Sequence, residues 1–141
     1  MPNAVFDSSA LLRSLLQGPN YAFADALLAR FTPVVPELSR YEIANTLRTC
    51  AASSFLTKSE ARDLYRHVLD SFDFTRDAGL VTKALDLGLA YRHGSYDMVF
   101  VAAAESLDLP LVTADKRLAS LANDILSQDV YDVNLSTDPM P

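Results

Sequence analysis

The stretch Ala4-Val5-Phe6-Asp7-Ser8-Ser9-Ala10-Leu11-Leu12 decides how the rest of the chain is read. Three apolar residues suffice for a brief buried strand, which ends at an acid. Two serines then stand where a helix can be capped, and Leu11, Leu12, Leu15 and Leu16 continue at helical spacing until Gly18. A strand that feeds at once into a helix is the building unit of a parallel sheet.

The same unit recurs outward from this point. Helical spacing over Tyr21–Phe31 precedes a short strand at Thr32–Val35, and Glu37–Ala52 is helical again through Ile43, Leu47 and Cys50. Thr57, with Glu60 three residues on, predicts a capping box for a helix running to about Ser71. Phe72-Asp73-Phe74 reads as a third strand. Helices are expected over Asp77–Tyr91 and Ser95–Leu107, a fourth strand at Pro110–Thr113, a short helix from Asp115, and a fifth edge strand at Val130–Val133. The expectation is an α/β fold: three α/β/α layers around a short central parallel sheet of four to five strands, its strand ends along one edge. One domain over 1–135 is expected, with a flexible tail at 136–141 that carries Pro139 and Pro141.

Composition narrows the function. Half of the 141 residues are apolar, enough for a real core and too many for a disordered chain. One cysteine, Cys50, leaves no disulfide framework or CxxC motif and suits a reducing cytosol. Met1-Pro2-Asn3 lacks the basic and apolar regions of a secretory signal, and no apolar run approaches a membrane span, so a cytoplasmic protein without membrane contact is expected. With 12 basic and 18 acidic residues the net charge is −6, which argues against holding a polyanion by bulk electrostatics. A cation at the site itself would have to mediate such a contact.

Most of the acids fall on polar helix faces, but four do not. Asp7 and Asp115 follow apolar strands, Glu42 lies on a mixed stripe with Leu38, Asn45 and Thr49, and Asp97 opens an alanine-rich helix. Each has a plain structural explanation as a cap, a first-turn acid or a surface charge. In a parallel sheet, however, the four would converge, and clustered carboxylates are unfavourable unless a cation neutralises them. Oxygen donors of this kind suit Mg²⁺ or Mn²⁺, whereas zinc sites favour His and Cys. His67 and His93 lack ligand-like spacing and are expected to be ordinary surface histidines.

Four blocks carry a resemblance: Val5-Phe6-Asp7-Ser8-Ser9-Ala10-Leu11, Glu42-Ile43-Ala44-Asn45-Thr46-Leu47, Ser95-Tyr96-Asp97 with Ala102-Ala103-Ala104-Glu105, and Pro110 through Leu118. Together, and in this order, they resemble the PIN-domain family, and more narrowly the VapC-type toxins of type II toxin–antitoxin pairs. The resemblance implies a Mg²⁺- or Mn²⁺-dependent endoribonuclease in which Asp7, Glu42, Asp97 and Asp115 are the metal-binding and catalytic acids. Ser9 and Thr113 match positions that help orient a ligand, and Asn45 matches a supporting one. A cognate antitoxin and a homodimer are implied as partners. Some family members carry a further acid just beyond the fourth; here Lys116 and Arg117 stand there, which implies a weakly held second ion.

Other readings compete. An aspartyl-nucleophile phosphatase needs a second Asp where Ser9 stands, a metal-adhesion motif needs Ser where Leu11 stands, and no P-loop or GxGxxG occurs. A catalytically silent PIN-like module that binds a metal or a partner is the alternative of a different class. Scattered cations are the candidates for RNA contact: Arg13, Arg40, Arg48, Lys116 and Arg117. The apolar residues of Tyr21–Phe31 and Thr57–Ser71 are candidates for an antitoxin groove and part of a dimer interface.

Overall fold

Strand and helix alternate through residues 1–135, the part of the chain that the computed structural model describes; the tail expected at 136–141 lies outside it. In chain order the elements are β1 (Asn3–Phe6), α1 (Ser8–Leu15), α2 (Tyr21–Arg30), β2 (Thr32–Pro36), α3 (Leu38–Ala52) and α4 (Lys58–Ser71). Then follow β3 (Phe74–Thr75), a 3-10 turn (Ala78–Leu80), α5 (Val81–Tyr91), α6 (Ser95–Leu107), β4 (Leu111–Thr113), α7 (Lys116–Ile125), β5 (Val130–Asp132) and a second 3-10 turn (Val133–Leu135), which takes Val133 out of the expected fifth strand.

The five strands form one sheet in the order β3-β2-β1-β4-β5, every neighbouring pair parallel. This is the three-layer α/β/α architecture that the strand–helix alternation predicts. Strand periodicity sorts the core into two halves. Ala4, Phe6 and Val112 pack with residues of α1 to α4 on one face, while Val5 and Leu111 pack with α5, α6 and α7 on the other. Because β1 is central and buried on both sides, its C-terminal end is the natural place for a crevice between layers.

Local chemistry ends the helices largely as the sequence indicates. Asp7, rather than Ser8 or Ser9, caps α1 by accepting from Ala10 N, since both serines already lie within the helix; Asp115 caps α7 by accepting from Arg117 N and Leu118 N. The capping box at Thr57 and Glu60 is complete, and its bonds hold the exposed Glu60 carboxyl below its ordinary range. Three details differ. The third strand begins at Phe74, because Phe72 closes α4 and only Phe74 and Thr75 reach register with Val35 and Pro36. The segment expected as one helix from Asp77 starts with the first 3-10 turn, and Asp77 instead uses its Oδ2 to accept from Leu38 N at the start of α3. At the end of α1 the left-handed residue is Gln17 (φ 51°) rather than Gly18. A Cβ on Gly18 would stand 2.7 Å from Arg13 Cδ, so the glycine leaves room for that side chain. Among the described residues, no helix is long and apolar enough to cross a membrane.

Candidate active site

The strand ends of β1 and β4 set the first two acids side by side. Phe6 pairs with Val112 in the ladder, and Asp7 N donates to Val112 O at 3.0 Å. Asp7 therefore emerges beside Thr113, and only 4% of it is exposed. Thr113 Oγ1 donates to Asp7 Oδ2 at 2.6 Å, while Ser9 Oγ (2.7 Å) and Ala10 N (3.0 Å) donate to Oδ1. Backbone amides fix both hydroxyls in turn: Ala114 N donates to Ser9 Oγ, and Asp115 N to Thr113 Oγ1. Burial pushes the Asp7 carboxyl up to about 6; the three hydrogen bonds work against that rise and the Asp115 charge adds to it.

Glu42 approaches from α3, which starts where β2 ends. Ser8 Oγ donates to Glu42 Oε1 at 2.7 Å and lies 3.0 Å from the buried Ser39 Oγ. Partial burial raises the Glu42 carboxyl, the Ser8 bond opposes the rise, and the Asp97 charge reinforces it. Asp97 stands in the first turn of α6, where unpaired helix N–H groups favour a negative charge.

All four acids line one cavity of about 190 Å³, together with Ser8, Ser9, Leu12, Thr46 and Phe100. None of these residues is Lys or Arg. The donors are oxygens only, Asp7 and Glu42 are destabilised as anions by burial and by the charges of Asp115 and Asp97 respectively, and no side-chain cation lines the cavity to relieve them. That chemistry fits a hard divalent cation of the magnesium or manganese kind. The side-chain spacing is that of acids bonded to hydroxyls, amides and an imidazole: among the described residues, no three His, Cys, Asp or Glu side chains stand ready to hold an ion.

The imidazole belongs to His93, whose spacing leads to the expectation of a surface histidine. His93 is not an ordinary surface histidine: its side chain is 7% exposed, and Nε2 lies 2.8 Å from Asp97 Oδ2. Its Nδ1 is buried and has no partner among the described residues. Gly88 makes the position possible. A Cβ there would stand 2.8 Å from His93 O and 3.0 Å from Ser95 Oγ, so only glycine lets the loop before α6 settle against α5. The HxxxD spacing was visible in sequence, but Gly94 between the two residues hid it as a helical pair.

The remaining candidates lie outside the acid cavity. Asn45 is exposed and lines a neighbouring cavity with Glu42. Arg13 is bonded to Pro19 O and Asn134 Oδ1, and Arg40 stacks its guanidinium over the Phe74 ring at 4.6 Å. Arg48 lines an apolar groove of about 580 Å³ between α3 and α4, whose rim also carries Lys58, Arg62 and Arg66. Lys116 and Arg117 are exposed in the first turn of α7. A second apolar cavity, of about 320 Å³, lies between α1, α2 and α4 and is lined by Leu28, Leu64 and Val68 among others.

Against this geometry, comparison with known proteins is specific. The family profile described as PIN domain matches residues 4–124. The protein named Ribonuclease VapC1 of Mycobacterium tuberculosis, in each of two strains, is 29% identical over 126 residues, spanning 85% of this chain and 91% of its own. The crystal structure of PAE2754 from Pyrobaculum aerophilum aligns with TM-score 0.72 at 23% identity, over 94% of this chain and 84% of that one. The structure of VapBC2 from Rickettsia felis, bound to a DNA fragment from its promoter, aligns with TM-score 0.63 at 14% identity, over 92% and 98%. At these identities the two structures speak for the fold alone.

Proposed function

The chain belongs to the PIN domain family, and from that premise we propose that it is a ribonuclease of the VapC type, an endoribonuclease that hydrolyses RNA phosphodiester bonds with Mg²⁺ or Mn²⁺. One observation carries the reading: Asp7, Glu42, Asp97 and Asp115, from four separate elements, line a single cavity that has no cationic side chain. Those four residues would hold the ion. When bound, a divalent cation supplies the positive charge that a phosphodiester needs in a negatively charged protein, and makes a water easier to deprotonate.

The chain's own residues prepare the place. Ser9, Thr113 and the Ala10 amide hold both Asp7 oxygens, so this carboxylate has one orientation before substrate arrives. Ser8 aims Glu42, and His93 holds one oxygen of Asp97. Leu12 and Phe100 wall the cavity with apolar surface, which strengthens every charge interaction inside it. Asp115 contributes charge while its Oδ1 stays committed to capping α7.

The same reading gives the chain a cognate antitoxin and a second copy of itself as partners, and a cytoplasmic place of action. The apolar cavity between α1, α2 and α4 is the surface proposed for the antitoxin. A single domain over 1–135 is part of the proposal. One observation favours a second reading, a silent module that binds a partner without cutting: no three of the acids already stand in metal-holding positions among the described residues. Incubating purified protein with RNA, with and without Mg²⁺ or Mn²⁺, separates the two. Cleavage that requires the cation and vanishes in Asp7→Asn and Asp97→Asn supports the nuclease. Cleavage surviving both substitutions would come from a contaminant, and its absence in the wild type would favour the silent module.

A further inference from the structure

Tyr41 and Tyr96 are the most exposed aromatic side chains among the described residues, at 75% and 73%. Burial of an aromatic ring is favourable, so two large rings left in water on the same side of the molecule need a reason. Both immediately precede an acid of the active site: Tyr41 stands before Glu42 on α3, and Tyr96 before Asp97 on α6. Together with Leu38, Glu42 and Asn45 they line a cavity of about 400 Å³. Glu42 lines this cavity and the acid cavity alike, so the two are contiguous.

Resting on the ribonuclease reading, we infer that this cavity is a nucleobase subsite, in which an unpaired base of the RNA next to the bond to be cut stacks on Tyr41 and Tyr96. The occupant's chemistry follows from the walls. Neither cavity is lined by Lys or Arg, so the pocket does not recruit a phosphate by charge. A neutral, planar, aromatic group suits two tyrosine faces, and stacking on aromatic side chains is how proteins hold single-stranded bases without a basic groove. Asn45, which lines the same cavity, adds an amide with one donor group and one acceptor for the polar edge of a base. The contiguity through Glu42 fixes the register: a base seated here leaves its own backbone at the acids. A base paired inside a duplex cannot enter, so the subsite selects loops and single strands.

The test uses the full chain with a short unpaired RNA and the same sequence annealed to its complement. KM, kcat and binding affinity are measured for Tyr41→Ala, Tyr96→Ala, Tyr41→Phe and Tyr96→Phe. Each alanine variant is expected to raise KM and weaken binding of the single strand by about tenfold or more while kcat changes little, and each phenylalanine variant to behave as the wild type. 5-Iodouridine placed beside the cleaved bond is expected to photocrosslink to Tyr41 or Tyr96. Unchanged affinity in both alanine variants, or duplex bound as tightly as single strand, would overturn the subsite. If the alanine variants turn a dimer into a monomer with RNA affinity intact, the rings cover a second copy of the chain and the subsite is equally overturned. Should the wild type cleave nothing, the ribonuclease reading fails by itself. Weakened single-strand binding in the alanine variants would then still support the subsite, and unchanged binding would refute it.

Discussion

His93 Nε2 lies 2.8 Å from Asp97 Oδ2, across the glycine that precedes α6. A nearly buried imidazole thus fixes an acid whose own side chain is 40% exposed. On the proposed reading of Asp97 as a metal ligand, a group that holds it in place is worth about 10–100-fold in metal affinity or activity. His93→Ala is therefore expected to weaken Mn²⁺ binding by about tenfold, read by electron paramagnetic resonance titration. His93→Gln, which keeps a donor in reach, is expected to recover part of the loss. Equal affinity in the wild type and His93→Ala would show that Asp97 needs no such support.

Gly88 should matter through that same loop. An alanine there puts a methyl group 2.8 Å from a backbone oxygen, so the His93–Ser95 backbone must move. Overpacking of this kind costs about 1–3 kcal/mol, and it displaces the imidazole that holds Asp97. Gly88→Ala is expected to lower the melting temperature by several degrees and to weaken Mn²⁺ binding. A variant with wild-type melting and wild-type Mn²⁺ affinity would refute the close approach.

Asp7 makes the metal-free protein sensitive to pH in a defined direction. Its carboxyl titrates near 6 in the fold, above an ordinary value of 3.8, so the folded state holds the proton more tightly than the unfolded chain. Stability from this group is fully present below about pH 4 and is lost as pH rises to about 6, for a total of about 3 kcal/mol. Asp7→Asn keeps an acceptor for Ala10 N and removes the buried charge. The metal-free variant is expected to melt several degrees above the wild type at pH 7 and with it at pH 4. Lower melting than the wild type at pH 7 would contradict the buried-charge account.

Proton and cation should compete for the same carboxyl. With Asp7 as a ligand, as proposed, a divalent ion displaces its proton below about pH 6, so apparent affinity is expected to fall by about tenfold per pH unit. Calorimetric Mg²⁺ or Mn²⁺ titrations at pH 5, 6 and 7 measure it. Affinity flat across that range would mean that Asp7 is not a ligand.

The fold was legible because its determinants are local. Asp7, Thr57 and Asp115 declare helix starts through bonds to residues two or three positions away, and the alternation of short apolar runs with helical spacing leaves little choice but a parallel sheet. Relationships that cross the chain were not legible. Ser8 reads as a cap, yet its hydroxyl serves Glu42, 34 residues on. Arg13 reads as a free cation, yet it reaches Asn134 on the far side of the sequence. The stripe that pairs Asn45 with Glu42 does put both on one cavity, but the bond to Glu42 comes from Ser8, because Asn45 turns to solvent. His93 lay between: its spacing to Asp97 was present in the sequence, but its burial depends on Gly88 and the packing of α5 against α6, which no local pattern states.

The most direct measurement is a Mn²⁺ titration of the metal-free chain followed by electron paramagnetic resonance, comparing the wild type with Asp7→Asn, Glu42→Gln, Asp97→Asn and Asp115→Asn. The account predicts saturable binding in the wild type and a clear loss of affinity in every variant, with RNA cleavage falling in the same order. Wild-type Mn²⁺ affinity retained in Asp7→Asn and Asp97→Asn, or no saturable binding to the wild type at pH 7, would contradict it.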